Sequence, residues 1–254
     1  VLLRSDGRAV ACGGTEEGQC DIPDPPLGVA YCQVAAGVFH TVLLRTDGRV
    51  VAVGRNDEGQ CDVPTPEAEV AYTQIAAGGD HTVLLRSDGR VAAFGRNDVG
   101  QCDLPEADDD VFYCQVAAGS DHTVLLRSDG RAVACGGTEE GQCDIPDPPL
   151  GVAYCQVAAG VFHTVLLRTD GRVVAVGRND EGQCDVPTPE AEVAYTQIAA
   201  GGDHTVLLRS DGRVAAFGRN DVGQCDLPEA DDDVFYCQVA AGSDHTVLLR
   251  SDVP

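Results

Sequence analysis

The sequence predicts an all-β fold, a six-bladed β-propeller. One short repeat recurs along the whole chain, and its segments favour strands and turns. Residues 1–129 recur without a single change at residues 124–252, and a shorter period of 41 residues lies inside that block. No stretch shows the sustained 3.6-residue periodicity and the caps of a helix. A unit of about 40 residues with three or four short strands has the size of a propeller blade, which buries both faces only between neighbours.

The whole chain, residues 1–254, is predicted to form one propeller domain. Residues 247–254, VLLRSDVP, begin a seventh copy of the repeat, so the chain starts and stops on the same strand. We expect one of the two copies, Val247–Arg250 or Val1–Arg4, to close the ring as an extra strand while the other frays. A seven-bladed propeller with an incomplete seventh blade is the alternative. The six repeats are residues 1–41, 42–82, 83–123, 124–164, 165–205 and 206–246.

Each element of the repeat is predicted from its own residues. One strand is predicted at HTVLLR, and another follows at RAVACG, RVVAVG or RVAAFG. The segment between them is SDG or TDG, and Asp-Gly between two such runs is a strong hairpin signal. A stretch rich in Gly and acids, such as GRNDEGQCDVP, and a Pro-containing loop come next. The last strand is predicted at VAYCQVAAG or VAYTQIAAG, which leads back to HT.

The charge balance excludes some partners. The chain has 41 acidic and 17 basic residues, a formal net charge of −24. Nucleic-acid binding needs clustered Lys and Arg, so we expect no nucleic-acid partner. The same charge disfavours anionic membranes and self-association, and no apolar run is long enough to span a bilayer. We therefore expect a soluble chain without a membrane partner, and a monomer.

The twelve cysteines are predicted to be reduced and mostly buried, which would suit a reducing, cytoplasmic environment. No C-x-x-C pair appears, so the usual zinc and redox spacings are missing. The position of Cys12 holds Val53 and Phe94 in sister repeats, and that of Cys32 holds Thr73, which is typical of a core position. One further cysteine per repeat lies in GQCD, too distant from its equivalents for a disulfide. These are Cys20, Cys61, Cys102, Cys143, Cys184 and Cys225.

Two sets of polar residues are candidates for a site. One histidine per repeat could line a channel and hold a metal, but equivalent positions around a ring are too far apart for one ion. We expect these imidazoles to bond the backbone of their own or the next blade. Acidic pairs and runs, Glu16-Glu17 and Asp108-Asp109-Asp110, could suggest glycosidase chemistry or calcium, but loop acids of this kind are expected to be solvated charge. The histidines are His40, His81, His122, His163, His204 and His245.

The pattern AAGxxHTVLLRxDGRVxxxGxNxxGQ resembles the repeats of the regulator of chromosome condensation family. The matching residues are Ala35-Ala36-Gly37, His40-Thr41, Asp47-Gly48, Gly54 and Gly59-Gln60, and the resemblance covers the whole chain. It implies a propeller of four-stranded blades, usually seven in number. It carries over no activity, because fold alone does not imply function. The chain has no Trp, on which the ultraviolet-sensing members depend. The exchange-factor members work through insertions and irregular loops, whereas all six repeats here have the same length.

Two functions are compatible with these features. The first is a symmetric, engineered repeat scaffold with no evolved ligand, which the unchanged duplication favours. The second is a natural protein–protein interaction domain of a larger protein, because the repeats differ mainly in loops and loops carry recognition. We predict no enzyme, because no catalytic constellation, phosphate loop or metal-spaced cluster rises above the repeat. No catalytic residue, cofactor or metal site is therefore predicted, and a protein partner would bind through the loop faces.

Overall fold

The computed structural model describes residues 1–108, 110–228 and 234–251. In those ranges the chain is all-β, with strands joined by turns and loops and with no helix, so that none of membrane-spanning length occurs there. The strands of the first half are β1 (Leu2–Leu3), β2 (Ala9–Val10), β3 (Tyr31–Ala36), β4 (His40–Arg45), β5 (Val50–Gly54), β6 (Tyr72–Ala77), β7 (His81–Arg86), β8 (Val91–Gly95), β9 (Tyr113–Ala118), β10 (His122–Arg127) and β11 (Ala132–Gly136). Those of the second half are β12 (Tyr154–Ala159), β13 (His163–Arg168), β14 (Val173–Gly177), β15 (Tyr195–Ala200), β16 (His204–Arg209), β17 (Val214–Gly218), β18 (Phe235–Ala241) and β19 (Thr246–Ser251).

The chain forms two compact units. The N-terminal unit comprises Val1–Ser128 and Ala134–Gly137, and the C-terminal unit comprises Asp129–Val133 and Thr138–Pro254. In the N-terminal unit the sheets are β1–β2, β3–β4–β5, β6–β7–β8 and β9–β10, to which β11 adds a third strand. In the C-terminal unit they are β12–β13–β14, β15–β16–β17 and β18–β19.

Each three-stranded sheet is an antiparallel meander, as the sheet β3–β4–β5 illustrates. Strand β4 pairs with β3 through Val42 and Ala35 and with β5 through Leu44 and Val50. The predicted Asp-Gly hairpin is present, and Gly48 has φ 74°, a left-handed conformation that favours glycine. A Cβ atom on Gly48 would also lie 2.4 Å from the Cβ atom of Ala71, so this turn admits no larger residue without a shift.

The core lies between successive sheets, where the central strand HTVLLR is covered on both sides. Val42 and Leu43 are 0% exposed and Leu44 is 4% exposed. Val42 and Leu44 of one sheet pack with Tyr72 and Ile75 of the next in one apolar cluster. Burying an aliphatic side chain of this size contributes roughly 1.5–3 kcal/mol. Stacking of neighbouring repeats within a unit is therefore what stabilises each sheet.

The resemblance implies four-stranded blades, which is wrong for the described residues, whose sheets have two or three strands. The segment that follows β5, GRNDEGQC, forms no strand and is held as a compact loop by local side-chain hydrogen bonds. Asn56 Oδ1 accepts a hydrogen bond from the Cys61 amide at 2.7 Å, while Asn56 Nδ2 donates to Asp62 Oδ1 at 2.8 Å. These local bonds take the place of a ladder to a neighbouring strand.

The sheets nearest the chain ends have two strands each and are less buried than the others. In β1, Leu2 is 67% exposed, whereas its equivalent Leu43 in β4 is 0% exposed. In β19, Val247 and Leu249 are both 54% exposed. Strand β1 has two residues and β19 has six, so the C-terminal copy of the repeated strand is the longer one.

Candidate functional site

The histidines bond the threonine of the following repeat. His40 Nε2 lies 2.9 Å from Thr82 Oγ1, and Thr82 Oγ1 donates to the carbonyl oxygen of Gln60 at 2.8 Å. A threonine hydroxyl has one hydrogen to donate, so the imidazole must be the donor and carry its proton on Nε2. The same arrangement joins His81 to Thr123, His163 to Thr205 and His204 to Thr246. The expected backbone partner is therefore wrong for these four rings, because each bonds a side-chain hydroxyl.

These imidazoles are neutral structural groups. Burial lowers the pKa of His40, His81 and His163 to about 4, so the rings carry no charge at neutral pH. Gly37 is required beside the ring, since a Cβ atom there would lie 2.3 Å from His40 Cε1. Where the structure describes the chain, no three His, Cys, Asp or Glu side chains come close enough together to hold a metal ion. His245 alone among the six is exposed.

The cysteines are thiols, but the prediction that most of them are buried is wrong. Cys32 is exposed on β3, and its thiol donates to the carbonyl oxygen of Leu44 at 3.5 Å. Thr73, at the same repeat position, donates to the carbonyl oxygen of Leu85 at 3.3 Å. Cys and Thr alternate at this position because both side chains can donate a hydrogen bond to the facing strand. The prediction of a core position did not take this bond into account.

The remaining cysteines are at least partly accessible as well. Cys12 is exposed, and the cysteines of the GQCD segments are half-buried. Among the latter, burial and then the carboxylate of Asp103 raise the pKa of the Cys102 thiol to about 11. The reactive thiolate is scarce at neutral pH when the pKa is that high, so the half-buried Cys102 thiol should react slowly.

The candidate carboxylates lie in exposed loops. Glu16 and Glu17 are exposed, and so are Asp108 and Asp110. Asp108 Oδ2 accepts a charge-assisted hydrogen bond from Arg127 Nη2 at 2.8 Å. Asp109 lies outside the described residues. Asp108 and Asp110 line a concave pocket at this loop, which is described below.

A feature that sequence reasoning did not identify is a pair of concave pockets at equivalent places in successive repeats. The first pocket, about 560 Å³ in volume, lies between the hairpin turn Asp47–Val50 and the loop Val63–Tyr72. The second, about 720 Å³, lies between the turn Asp88–Val91 and the loop Leu104–Tyr113. Both volumes are in the range of small-ligand sites.

The two loop pockets have a shared floor and a variable wall. The tyrosine at the end of each loop is fixed, since the Tyr72 hydroxyl donates to the carbonyl oxygen of Pro64 at 2.9 Å and the Tyr113 hydroxyl to that of Pro105 at 2.7 Å. The wall residues differ, with Thr65–Glu69 in the first loop and Glu106, Ala107, Asp108 and Asp110 in the second. The signal in the sequence was this clustering of differences in the loops, and only the fold shows that the loops form pockets.

Solved structures share the fold at low sequence identity. Human WBSCR16 matches with a TM-score of 0.74 at 20% identity, over 90% of this chain and 75% of that one. Prp20p from Saccharomyces cerevisiae gives a TM-score of 0.74 at 21% identity, over 89% of this chain and 70% of that one. The ectodomain of the receptor kinase CR4 from Physcomitrella patens gives 0.74 at 20% identity, over 99% and 68%. At these identities the likeness shows the β-propeller fold alone.

Family membership is established by the repeats themselves. No protein with a curated description matches the sequence. The model of the regulator of chromosome condensation (RCC1) repeat matches five times, over more than half of the chain. The matched segments are residues 31–60, 72–101, 113–142, 154–183 and 195–224. Each begins at the tyrosine of one strand, ends at the glutamine of the GQCD segment, and contains the consecutive His-Thr of its own repeat. The chain therefore belongs to the regulator of chromosome condensation repeat family.

Proposed function

We propose that this chain is a non-catalytic protein-interaction domain that binds its partner through the loops between its strands. The observation that carries the proposal is the arrangement of the loop pockets, which have a fixed floor and a wall that changes from repeat to repeat. Recognition surfaces on repeat folds are commonly built in this way, because loops vary without disturbing the packed frame. Among the proteins of similar fold, yeast Prp20 has been solved bound to Kap60, and its binding to Gsp1p and to histones is described.

The proposed absence of catalysis rests on the chemistry available. Histidine is the usual general acid or base, and His40, His81, His163 and His204 are engaged with threonine hydroxyls in the packing between repeats. A catalytic site also needs unlike environments for its members, whereas these imidazoles share one environment.

A symmetric scaffold without an evolved ligand, of engineered origin, is the second candidate. The observation that favours it is the unchanged recurrence of residues 1–129 at 124–252. Natural tandem copies diverge unless their duplication is recent. A coding sequence whose two halves differ by synonymous changes would favour natural origin, and a uniform synthetic block would favour design.

The architecture that we propose is one monomeric domain over residues 1–254, with six blades and with residues 247–254 as the extra closing strand. Strand β19 supports this assignment, because it pairs with β18 from Phe235↔Ser251 to Ala241↔Thr246. Deletion of residues 247–254 should lower the melting temperature. An unchanged melting temperature would show that Val1–Arg4 is the copy that closes the domain.

The proposed binding through loops can be tested by exchanging loops within the chain. The loops at residues 63–71 and 104–112, with their second-half counterparts at 186–194 and 227–235, would be replaced by the sequence of residues 22–30, which has the same length and the same repeat position. We expect the variant to keep its melting behaviour and to lose any protein that the parent chain retains from a lysate at physiological salt. A variant that keeps those partners would contradict binding through the loops. A parent chain that retains no protein would favour the scaffold.

A further inference from the structure

The second loop pocket has an apolar lining held in a fixed place. Val91, Leu104 and Tyr113 line it together with Pro105. Tyr113 is 6% exposed, and its hydroxyl donates to the carbonyl oxygen of Pro105. The surface offered to a ligand is thus made of aliphatic and ring atoms. Because these side chains are already held in place, they lose less conformational entropy on binding.

An exposed aromatic ring stands at the edge of this pocket. Phe112 is 54% exposed, whereas the same repeat position holds Ala30 and Ala71 in the sister repeats. The ring lies against the hairpin turn, where a Cβ atom on Gly89 would come within 2.5 Å of the Phe112 Cβ atom. A large apolar side chain at an exposed loop position gains little for folding, and exposed aromatic rings are favoured at protein interfaces.

Carboxylates outnumber guanidinium groups around the pocket. Among the described residues, four carboxylates and one guanidinium, that of Arg90, line it. Asp88 and Asp108 are held by Arg86 and Arg127, both at 2.8 Å, so their positions are defined. The other two carboxylates belong to Glu106 and Asp110, which are exposed.

We propose that the second loop pocket binds a lysine or arginine side chain from a basic segment of a protein partner. The aliphatic stem would pack on Leu104 and Pro105, and the cation would lie over the face of Phe112 and near Asp110. Basic side chains bury their stems while keeping the charged end hydrated, and a cation over an aromatic face is attracted by the ring. The charge complementarity selects a basic segment over an acidic or apolar one. The inference rests on the proposed interaction function and names its partner class.

The first loop pocket provides an internal comparison. It has three carboxylates, those of Asp47, Glu67 and Glu69, with one guanidinium, that of Arg49, but Ala71 stands where Phe112 stands in the second pocket. It should therefore attract a cation by charge alone and bind a basic segment more weakly.

The test uses the full chain and fluorescein-labelled octalysine, with octaglutamate and an uncharged Gly-Ser octapeptide as controls. Binding would be measured by fluorescence anisotropy at about 150 mM salt, where long-range surface electrostatics are screened beyond roughly 8 Å. The informative variant is Phe112→Ala combined with Phe235→Ala, its counterpart in the second copy of the sequence. It leaves the net charge unchanged and installs the residue already present at Ala30 and Ala71, so the variant retains a sequence compatible with the repeat.

We expect octalysine to bind the parent chain, and the double Phe→Ala variant to bind it about fivefold more weakly, as loss of a cation–π contact implies. The matched control is Asp57→Asn combined with Asp180→Asn, which removes two charges from the GRNDEG loops and should change the affinity less than twofold. Parent-like affinity in the Phe→Ala variant, or no binding of octalysine, would overturn the inference. If the octalysine test failed while the loop-exchanged chain lost its protein partners, only the inference about a basic segment would be overturned, and the proposed interaction function would still be supported.

Discussion

At the scale of single residues, four histidines show how a polar side chain becomes part of a core. The ring is buried, and its one N–H donates to a threonine of the next repeat in the same unit; the four are His40, His81, His163 and His204. The threonine in turn donates to a glutamine carbonyl, so the hydroxyl is satisfied in both of its roles. The arrangement requires a glycine beside the ring, because a Cβ atom on Gly78 would lie 2.2 Å from His81 Cε1.

The first prediction compares two histidines at the same repeat position. His81→Ala should destabilise the chain by about 2–4 kcal/mol, since it leaves a cavity and removes a buried hydrogen bond to Thr123. His245→Ala should cost less than about 0.5 kcal/mol because His245 is exposed. Urea denaturation followed by circular dichroism measures both variants. Equal losses in the two variants would contradict a role that depends on burial between repeats.

At the scale of elements, the loops have their own conformational requirements. Glu69 has φ 69° and its second-half equivalent Glu192 has φ 71°, values that side chains larger than glycine rarely adopt. The corresponding residue of the first repeat is Gly28, with φ 79°. The loop therefore needs a left-handed residue at this place, and the second repeat fills it with a glutamate at an energetic cost.

The second prediction follows from this backbone strain. Glu69→Gly combined with Glu192→Gly should be more stable than Glu67→Gly combined with Glu190→Gly by about 2 kcal/mol, or roughly 1 kcal/mol for each loop. Both variants remove two carboxylates, so the difference isolates the backbone effect. The ion pairs that Glu67 and Glu190 make at 3.8 Å are exposed and contribute little. Equal urea midpoints for the two variants would show that the left-handed glutamates are unstrained.

At the scale of the whole molecule, equivalent residues recur in successive repeats, so their separate effects on stability at a given pH add together. An imidazole whose pKa is lowered on folding takes up its proton more readily in the unfolded chain. Its contribution to stability is therefore complete above the unfolded pKa of 6.5 and is lost as the pH falls toward the folded value of about 4. Because several rings behave alike, their effects accumulate in one pH window.

The third prediction is a loss of stability between pH 6.5 and 4. Each of His40, His81 and His163 should reduce the free energy of unfolding by on the order of 2 kcal/mol at pH 5 relative to pH 7. Urea midpoints measured at half-unit intervals would test this, and the steepest part of the curve should lie above the range in which most carboxylates titrate. A midpoint that stays constant from pH 7 to pH 5 would show that these imidazoles are not buried in the neutral form.

The sequence by itself determined the repeat, the all-β class, the Asp-Gly hairpins and the family, because each depends on local residues and on their recurrence. It could not supply what depends on a neighbouring repeat. The bond from His40 to Thr82 spans 42 positions, and no local pattern gives its partner or the direction of its proton. In the sequence, the alternation of Cys32 with Thr73 is typical of a core position, and only the structure shows that each side chain donates to the strand facing it. The loop pockets form only where a hairpin turn meets a loop from farther along the same repeat, so the place where the proposed partner binds was decided by the tertiary structure.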